Sequence, residues 1–182
     1  MNDKAEKVYA DAFFTLCLEE TPDTLKNTLG ELSALDGIFR EQPDFVKLLG
    51  TPTVTMDEKL GMIKDIIADG ISEYTGNLLC VLTERGRMGC FSGIVKNFRA
   101  LYNEHFRIAE ITVTASAPLS ESVREKIAAK MSGVTGKTVS IKEKVDPSII
   151  GGVVIDYGST RYDGSVRTRL NELKKELGGV IA

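Results

Sequence analysis

Val145-Asp146-Pro147-Ser148-Ile149-Ile150-Gly151-Gly152-Val153-Val154-Ile155-Asp156-Tyr157-Gly158 runs on through Ser159-Thr160-Arg161-Tyr162-Asp163-Gly164-Ser165 into Val166-Arg167-Thr168-Arg169-Leu170-Asn171-Glu172-Leu173-Lys174-Lys175-Glu176-Leu177. Its periodicity predicts a turn at Asp146-Pro147 and a buried, mostly apolar strand over 149–157. A tight hairpin-like connection over 158–165 follows, then a closing amphipathic helix over 166–177. Val166, Leu170, Leu173 and Leu177 share one stripe of that helix. The segment has a defined local architecture and no evident catalytic group, which points to a part of an assembly rather than an enzyme.

Upstream of this stretch, Ile108-Ala109-Glu110-Ile111-Thr112-Val113-Thr114-Ala115 alternates apolar and polar residues, as a half-buried strand does. Ser120 caps an expected helix over 121–131, with Val123, Ile127 and Met131 four apart, and 139–145 reads as another strand. The first hundred residues change period and read as helix after helix. Helices are expected over 4–20, from Thr21 or Asp23 to 41, from Pro43 to Gly50-Thr51-Pro52, over 57–68 with Leu60, Ile63, Ile66 and Ile67 inward, over 72–84, and over 90–106. Gly86 is a natural left-handed residue ending the fifth of them. The fold class is therefore α+β: a bundle of about six helices over 1–106, then a small strand/helix module over 107–182, with no Gly/Ser/Pro linker between them.

Composition narrows the functional classes. The 182 residues are 42% hydrophobic and 27% charged, which suits a folded chain. No apolar run approaches the roughly 20 residues that span a bilayer. The first seven residues, with Asp3 and Glu6, do not form a signal core or a transit peptide, so membrane association is expected only through partners. Residues 1–105 carry 11 Lys/Arg against 17 Asp/Glu, and residues 106–182 carry 12 against 9. Neither half offers the arginine-rich, aromatic-interleaved surface of a nucleic-acid binder. Cys17, Cys80 and Cys90 lack CxxC spacing and sit in apolar helical contexts, reading as small buried hydrophobes; His105 is the single histidine, so no metal or cofactor site is expected.

Three segments could carry chemistry. Gly133-Val134-Thr135-Gly136-Lys137-Thr138 lacks the leading glycine of a phosphate loop and precedes a strand, so it reads as a helix-to-strand turn. The loop from Gly158 to Ser165 is the stronger candidate: it leads into a helix N-terminus, and Arg161 could grip an anion. It supports an alternative function, a small-anion or nucleotide-binding regulator, although Gly158, Gly164 and a Ser165 cap also suit a tight connection in which Asp156, Arg161 and Asp163 pair locally. Arg85 and Arg87 flank the Gly86 turn and read as surface charges or partners of Glu84. The remaining signal is surplus apolar surface. The first helix and the 72–84 helix carry more hydrophobic residues than one packing face requires. Either both are central in the bundle, or together they form a groove for another chain's amphipathic helix; a generic helical adaptor would look the same.

Three stretches, in order and at matching spacing, carry a family resemblance: 145–177, Val8-Tyr9-Ala10-Asp11-Ala12-Phe13-Phe14, and Asn77-Leu78-Leu79-Cys80-Val81-Leu82-Thr83-Glu84-Arg85-Gly86-Arg87-Met88. Together they resemble the F-type ATP synthase delta subunit, the bacterial equivalent of the mitochondrial oligomycin-sensitivity-conferring protein. The resemblance implies a non-catalytic stator of the peripheral stalk at the cytoplasmic face of the bacterial cell (inner) membrane. It serves ATP synthesis and hydrogen ion transport without performing either. The helical domain is then expected to hold the N-terminal helix of an alpha subunit between its first and fifth helices, through Tyr9, Ala12, Phe13, Leu16, Asn77, Leu78, Val81 and Leu82. The second module is expected to bind the C-terminal region of the b-subunit stalk. The pair would keep the alpha/beta hexamer from turning with the rotor.

Overall fold

A computed structural model of the chain describes residues 3–20, 22–50, 54–68 and 70–180. It is α+β and divides into two compact units, Met1–Tyr102 and Asn103–Ala182. The division falls a turn before the expected 106/107 boundary, inside the last helix of the first unit.

The first unit holds α1 (Asp3–Leu18), α2 (Pro22–Glu41), α3 (Pro43–Gly50), α4 (Met56–Ala68), α5 (Glu73–Glu84) and α6 (Phe91–His105). Its core is organised on α6, whose Phe91, Ile94, Val95 and Phe98 are all buried. Phe13 and Phe14 of α1 approach the Phe98 ring at 5.6 and 5.5 Å, and Phe39 of α2 meets Phe91 edge-on at 5.0 Å. These are the tilted and T-shaped contacts that aromatic quadrupoles favour. Of the α2 leucines expected on one stripe, Leu25, Leu32 and Leu35 are buried and Leu29 is partly buried; Phe39 is buried as well. Ile63 of α4 is buried; Thr21, Thr51, Pro52 and the side chains of Ile66 and Ile67 lie outside the described residues.

Polar ties fix α5 against α2. The Glu31 carboxylate accepts from the Ser72 backbone N–H at 3.1 Å, the Ser72 hydroxyl at 2.6 Å and the Thr75 hydroxyl at 2.5 Å. Ser72 also caps α5, its Oγ accepting from the Thr75 N–H. The other end of α5 closes as expected: Gly86 has φ +62, its N–H donates to the Thr83 carbonyl, and the Arg87 N–H donates to the Leu82 carbonyl at 2.7 Å. That pair of bonds is the Schellman arrangement.

The second unit holds β1 (Ile108–Ala115), α7 (Glu121–Thr135), β2 (Thr138–Val145), β3 (Val153–Tyr157), β4 (Thr160–Asp163) and α8 (Val166–Val180). The sheet order is β2-β1-β3-β4; β1 and β2 are parallel, joined through α7, and the other two pairings are antiparallel. Ile111, Val113 and Met131 centre its core, with Ile127, Val139, Ile141 and Ile155 packed on them. Gly136, at φ +65, ends α7, the turn role read from the Gly133-to-Thr138 segment.

Two elements differ from the sequence expectation. Residues 149–152 are not strand: Pro147–Ile149 form a short 3-10 turn, Ile150 takes φ +69, and the strand starts at Val153. The connection from Gly158 to Ser165 contains a fourth strand, β4, paired to β3 across a two-residue turn that Gly158 opens at φ +58. A glycine crossing holds this region together. The Gly164 N–H donates to the Val153 carbonyl at 3.0 Å, and the Val166 N–H donates to the Gly151 carbonyl at 2.9 Å. Gly152 sits at φ +78, and a Cβ there would collide with the Gly164 carbonyl oxygen. Only glycine permits both the backbone angle and the close approach.

Candidate functional site: an apolar furrow between the first and fifth helices

Among the described residues no group of three or more His, Cys, Asp or Glu side chains could hold a metal ion. None of the three cysteines is in a disulfide, and burial pushes the Cys17 thiol above its ordinary range. No described helix is long and apolar enough to cross a membrane. His105 stands at the end of α6 with its ring edge-to-face on Phe106.

The loop read as an anion site is occupied by its own carboxylate. Asp163 Oδ1 accepts from the Ser165 N–H at 2.9 Å, and Asp163 Oδ2 accepts from the Thr168 hydroxyl at 3.0 Å. Ser165, 2% exposed, caps α8 by accepting from the Thr168 N–H at 3.2 Å. The hydrogen bond from the Ser165 backbone holds the Asp163 carboxyl below the usual carboxylate range. Arg161 lies opposite Asp156 in the β3–β4 ladder, 3.7 Å away. The helix terminus that would attract an anion is thus already satisfied, so the anion-binding alternative loses its physical basis.

The first unit does carry an open apolar furrow. Its volume is about 400 Å³ and it is lined by Tyr9, Ala12, Phe13 and Leu16 of α1 and by Tyr74, Asn77, Leu78 and Val81 of α5. These positions recur at three- and four-residue steps on both helices, so each helix presents one continuous face. Phe13 and Leu78 form a floor, each 7% exposed, while Leu16 and Val81 stand as walls, 45% and 42% exposed. Seven of the eight positions named from the sequence line it. Leu82 does not: it is 0% exposed and packs into the bundle interior. The continuous apolar run from Leu78 to Leu82 hides which side of the helix faces out. Tyr74 lines the furrow and was not among the eight. It stands one turn before Leu78, so extending the 77/78–81 spacing backwards would have found it.

The furrow has two distinct ends. Arg87, just past α5, donates to the Tyr9 hydroxyl at 3.4 Å, with its guanidinium carbon 5.6 Å from the Tyr9 ring centroid. At the other end the Tyr74 hydroxyl donates to the carboxylate of Glu20, just past α1, and that bond raises the phenol above its ordinary pKa. These two contacts fix α1 and α5 as antiparallel neighbours. Of the two readings given to Arg87, surface charge or partner of Glu84, the first holds: Arg87 is exposed, and its contact is with Tyr9.

A second apolar surface lies on α8. Val166, Leu170 and Leu173, expected as one stripe, are 39%, 51% and 52% exposed. They form a stripe that the second unit leaves open, rather than a closing face of its core; the Leu177 side chain lies outside the described residues.

Comparison with known proteins gives a consistent result. A family model described as ATP synthase delta (OSCP) subunit matches residues 5–177. The chloroplastic ATP synthase subunit delta of Emiliania huxleyi is 34% identical over 173 residues, 94% of this chain and 95% of that one. ATP synthase subunit delta of Anaeromyxobacter sp. strain Fw109-5 is 34% identical over 170 residues, 93% and 94% of the two chains. A chain in the cryo-EM structure of the Toxoplasma gondii mitochondrial ATP synthase hexamer shares the fold, with a TM-score of 0.69 at 22% identity over 94% of this chain and 96% of that one. With the sequence matched from the first helix to the last, and the α+β fold matched along with it, this chain belongs to the ATP synthase delta (OSCP) subunit family, a non-catalytic component of the peripheral stalk.

Proposed function

We propose that this chain is the connector at the head of the peripheral stalk, joining the alpha/beta hexamer to the b-subunit stalk so that the hexamer does not turn with the rotor. The observation that carries the reading is the furrow between α1 and α5: an apolar floor and two half-exposed aliphatic walls, two helical turns long. Its shape and chemistry suit the apolar face of an amphipathic helix, and the N-terminal helix of an alpha subunit is the occupant. The open Val166/Leu170/Leu173 stripe of α8 supports the second half of the reading, a face for the C-terminal region of the b subunit. The chain works peripherally at the cytoplasmic face of the bacterial cell membrane, held there by the complex.

A connector under torque needs slow release rather than reactive groups. Covering apolar surface contributes about 25 cal/mol per Å2 before the cost of association is subtracted. The test is calorimetric titration of the full chain with a synthetic alpha-subunit N-terminal peptide. Binding is expected, with a negative heat-capacity change, and Val81→Asp is expected to abolish it while thermal unfolding stays cooperative. A folded chain that takes up no peptide refutes the proposal.

A further inference from the structure

We infer that the furrow between α1 and α5 is polarised, and that it orients its occupant by charge: an acidic side chain of the docked helix sits over Arg87 and a basic one over Glu20. The inference rests on the proposed docking reading and adds to it a direction.

Each end of the apolar floor is marked by a tyrosine that holds a charge of opposite sign. Tyr9 carries Arg87 at 3.4 Å, and Tyr74 carries Glu20. Among the described residues Arg87 has no carboxylate within ion-pair distance, and Glu20 has no cation. Elsewhere on this unit Arg40 pairs with Asp36 at 2.8 Å and Lys47 with Asp44 at 2.9 Å. The two furrow-end charges are therefore held in place and electrostatically unsatisfied. Along the first helix the two marked ends, Tyr9 and Glu20, are about three turns apart, roughly 16 Å. A helix with an acidic residue and a basic residue two to three turns apart on the edge of its apolar face meets both. A helix laid the other way sets like charges against each other, which costs affinity.

The probe is a synthetic 18-residue amphipathic peptide with Leu and Ile at i, i+3, i+4 and i+7. It is made in three forms: Glu in the first turn and Lys in the last, the reverse order, and Gln at both places. Each form carries a nitroxide at one end and is titrated into the isotope-labelled full chain. In both charged forms the acidic end is expected to broaden the amides around Tyr9 and Gly86, and the basic end those around Leu16 and Tyr74. In the double variant Arg87→Glu, Glu20→Arg the pattern should exchange ends. Arg87→Ala should weaken the charged peptides about threefold, the size of an exposed ion pair, and leave the Gln form unchanged. If orientation ignores charge order, or if Arg87→Ala and Glu20→Ala leave all affinities equal, the polarity is refuted while the docking reading stands. If no form binds, the docking reading falls, and the polarity with it.

Discussion

Replacing Leu16 by alanine should weaken binding of the alpha-subunit peptide about fivefold. Burying a whole leucine side chain is worth about 1.5–3 kcal/mol. Leu16 is 45% exposed in the free chain, so an occupant that covers it collects about 1 kcal/mol from this residue. Val81, 42% exposed on the opposite wall, is worth about the same, and the double variant should weaken binding about 25-fold if the two act independently. Leu18 supplies the control: it is 44% exposed on the same helix but does not line the furrow. Leu18→Ala removes the same atoms from an equally exposed position, so its effect on stability should resemble that of Leu16→Ala while its effect on binding stays within about twofold. Calorimetric titration reads the affinities, and thermal unfolding of the same samples reads the stabilities. Equal loss of affinity in the Leu16 and Leu18 variants would mean that the peptide docks elsewhere or that general destabilisation explains the loss, and either result refutes the argument.

Gly152→Ala should destabilise the second unit by about 2–4 kcal/mol, because the added Cβ meets the Gly164 carbonyl and φ +78 suits glycine alone; denaturant unfolding monitored at Tyr157 and Tyr162 would show an unshifted midpoint if the crossing is unimportant. Glu31→Ala should cost about 2 kcal/mol, since three donors lose one charged acceptor and the Thr75 hydroxyl is fully buried; an unchanged urea midpoint would contradict that tie between α2 and α5. Glu143, Asp146 and Asp163 have carboxyls held below their ordinary range, chiefly by the Leu119 backbone N–H, by Ser148 and by the Ser165 backbone N–H respectively. Depressed pKa values give a contribution that is complete above the unfolded carboxylate range and is lost as pH falls through the folded values, so the second unit should lose stability below about pH 4. Carboxyl-carbon NMR titration together with amide exchange checks both the lowered carboxyls and the window.

Where hydrophobic period and burial coincide, the sequence was a sufficient guide. The strand read over 108–115 has the bounds of β1, with burial alternating until Thr114, which is buried as well, and Gly86 and Ser165 take the capping roles their residue types suggest. Legibility failed where the period carries no information. All four residues of β4 are exposed, so no apolar alternation marks it. Ile149 and Ile150 look like strand, but Asp146-Pro147 starts a turn that runs on through Ile150. In the furrow, α1 could be read because exposed and buried positions alternate around it, whereas the unbroken apolar run in α5 placed Leu82 on the wrong side and left Tyr74 out. On α8 the period gave the stripe correctly but not its environment, since periodicity identifies a face and not what covers it.

The glycine crossing makes α8 a cantilever. Its described ties to the rest of its unit gather at the root: the Gly164–Val153 and Val166–Gly151 backbone bonds, the Val166 methyl against Gly151, and Arg167 on the Ser148 hydroxyl at 3.3 Å. The shaft beyond them is exposed through Glu176. A pull on the outer turns therefore reaches the sheet through two backbone bonds and one steric lock, at the edge of its most buried strands. The outer turns can change their side chains to suit whatever they touch at little expense to the fold, while the root tolerates almost no substitution.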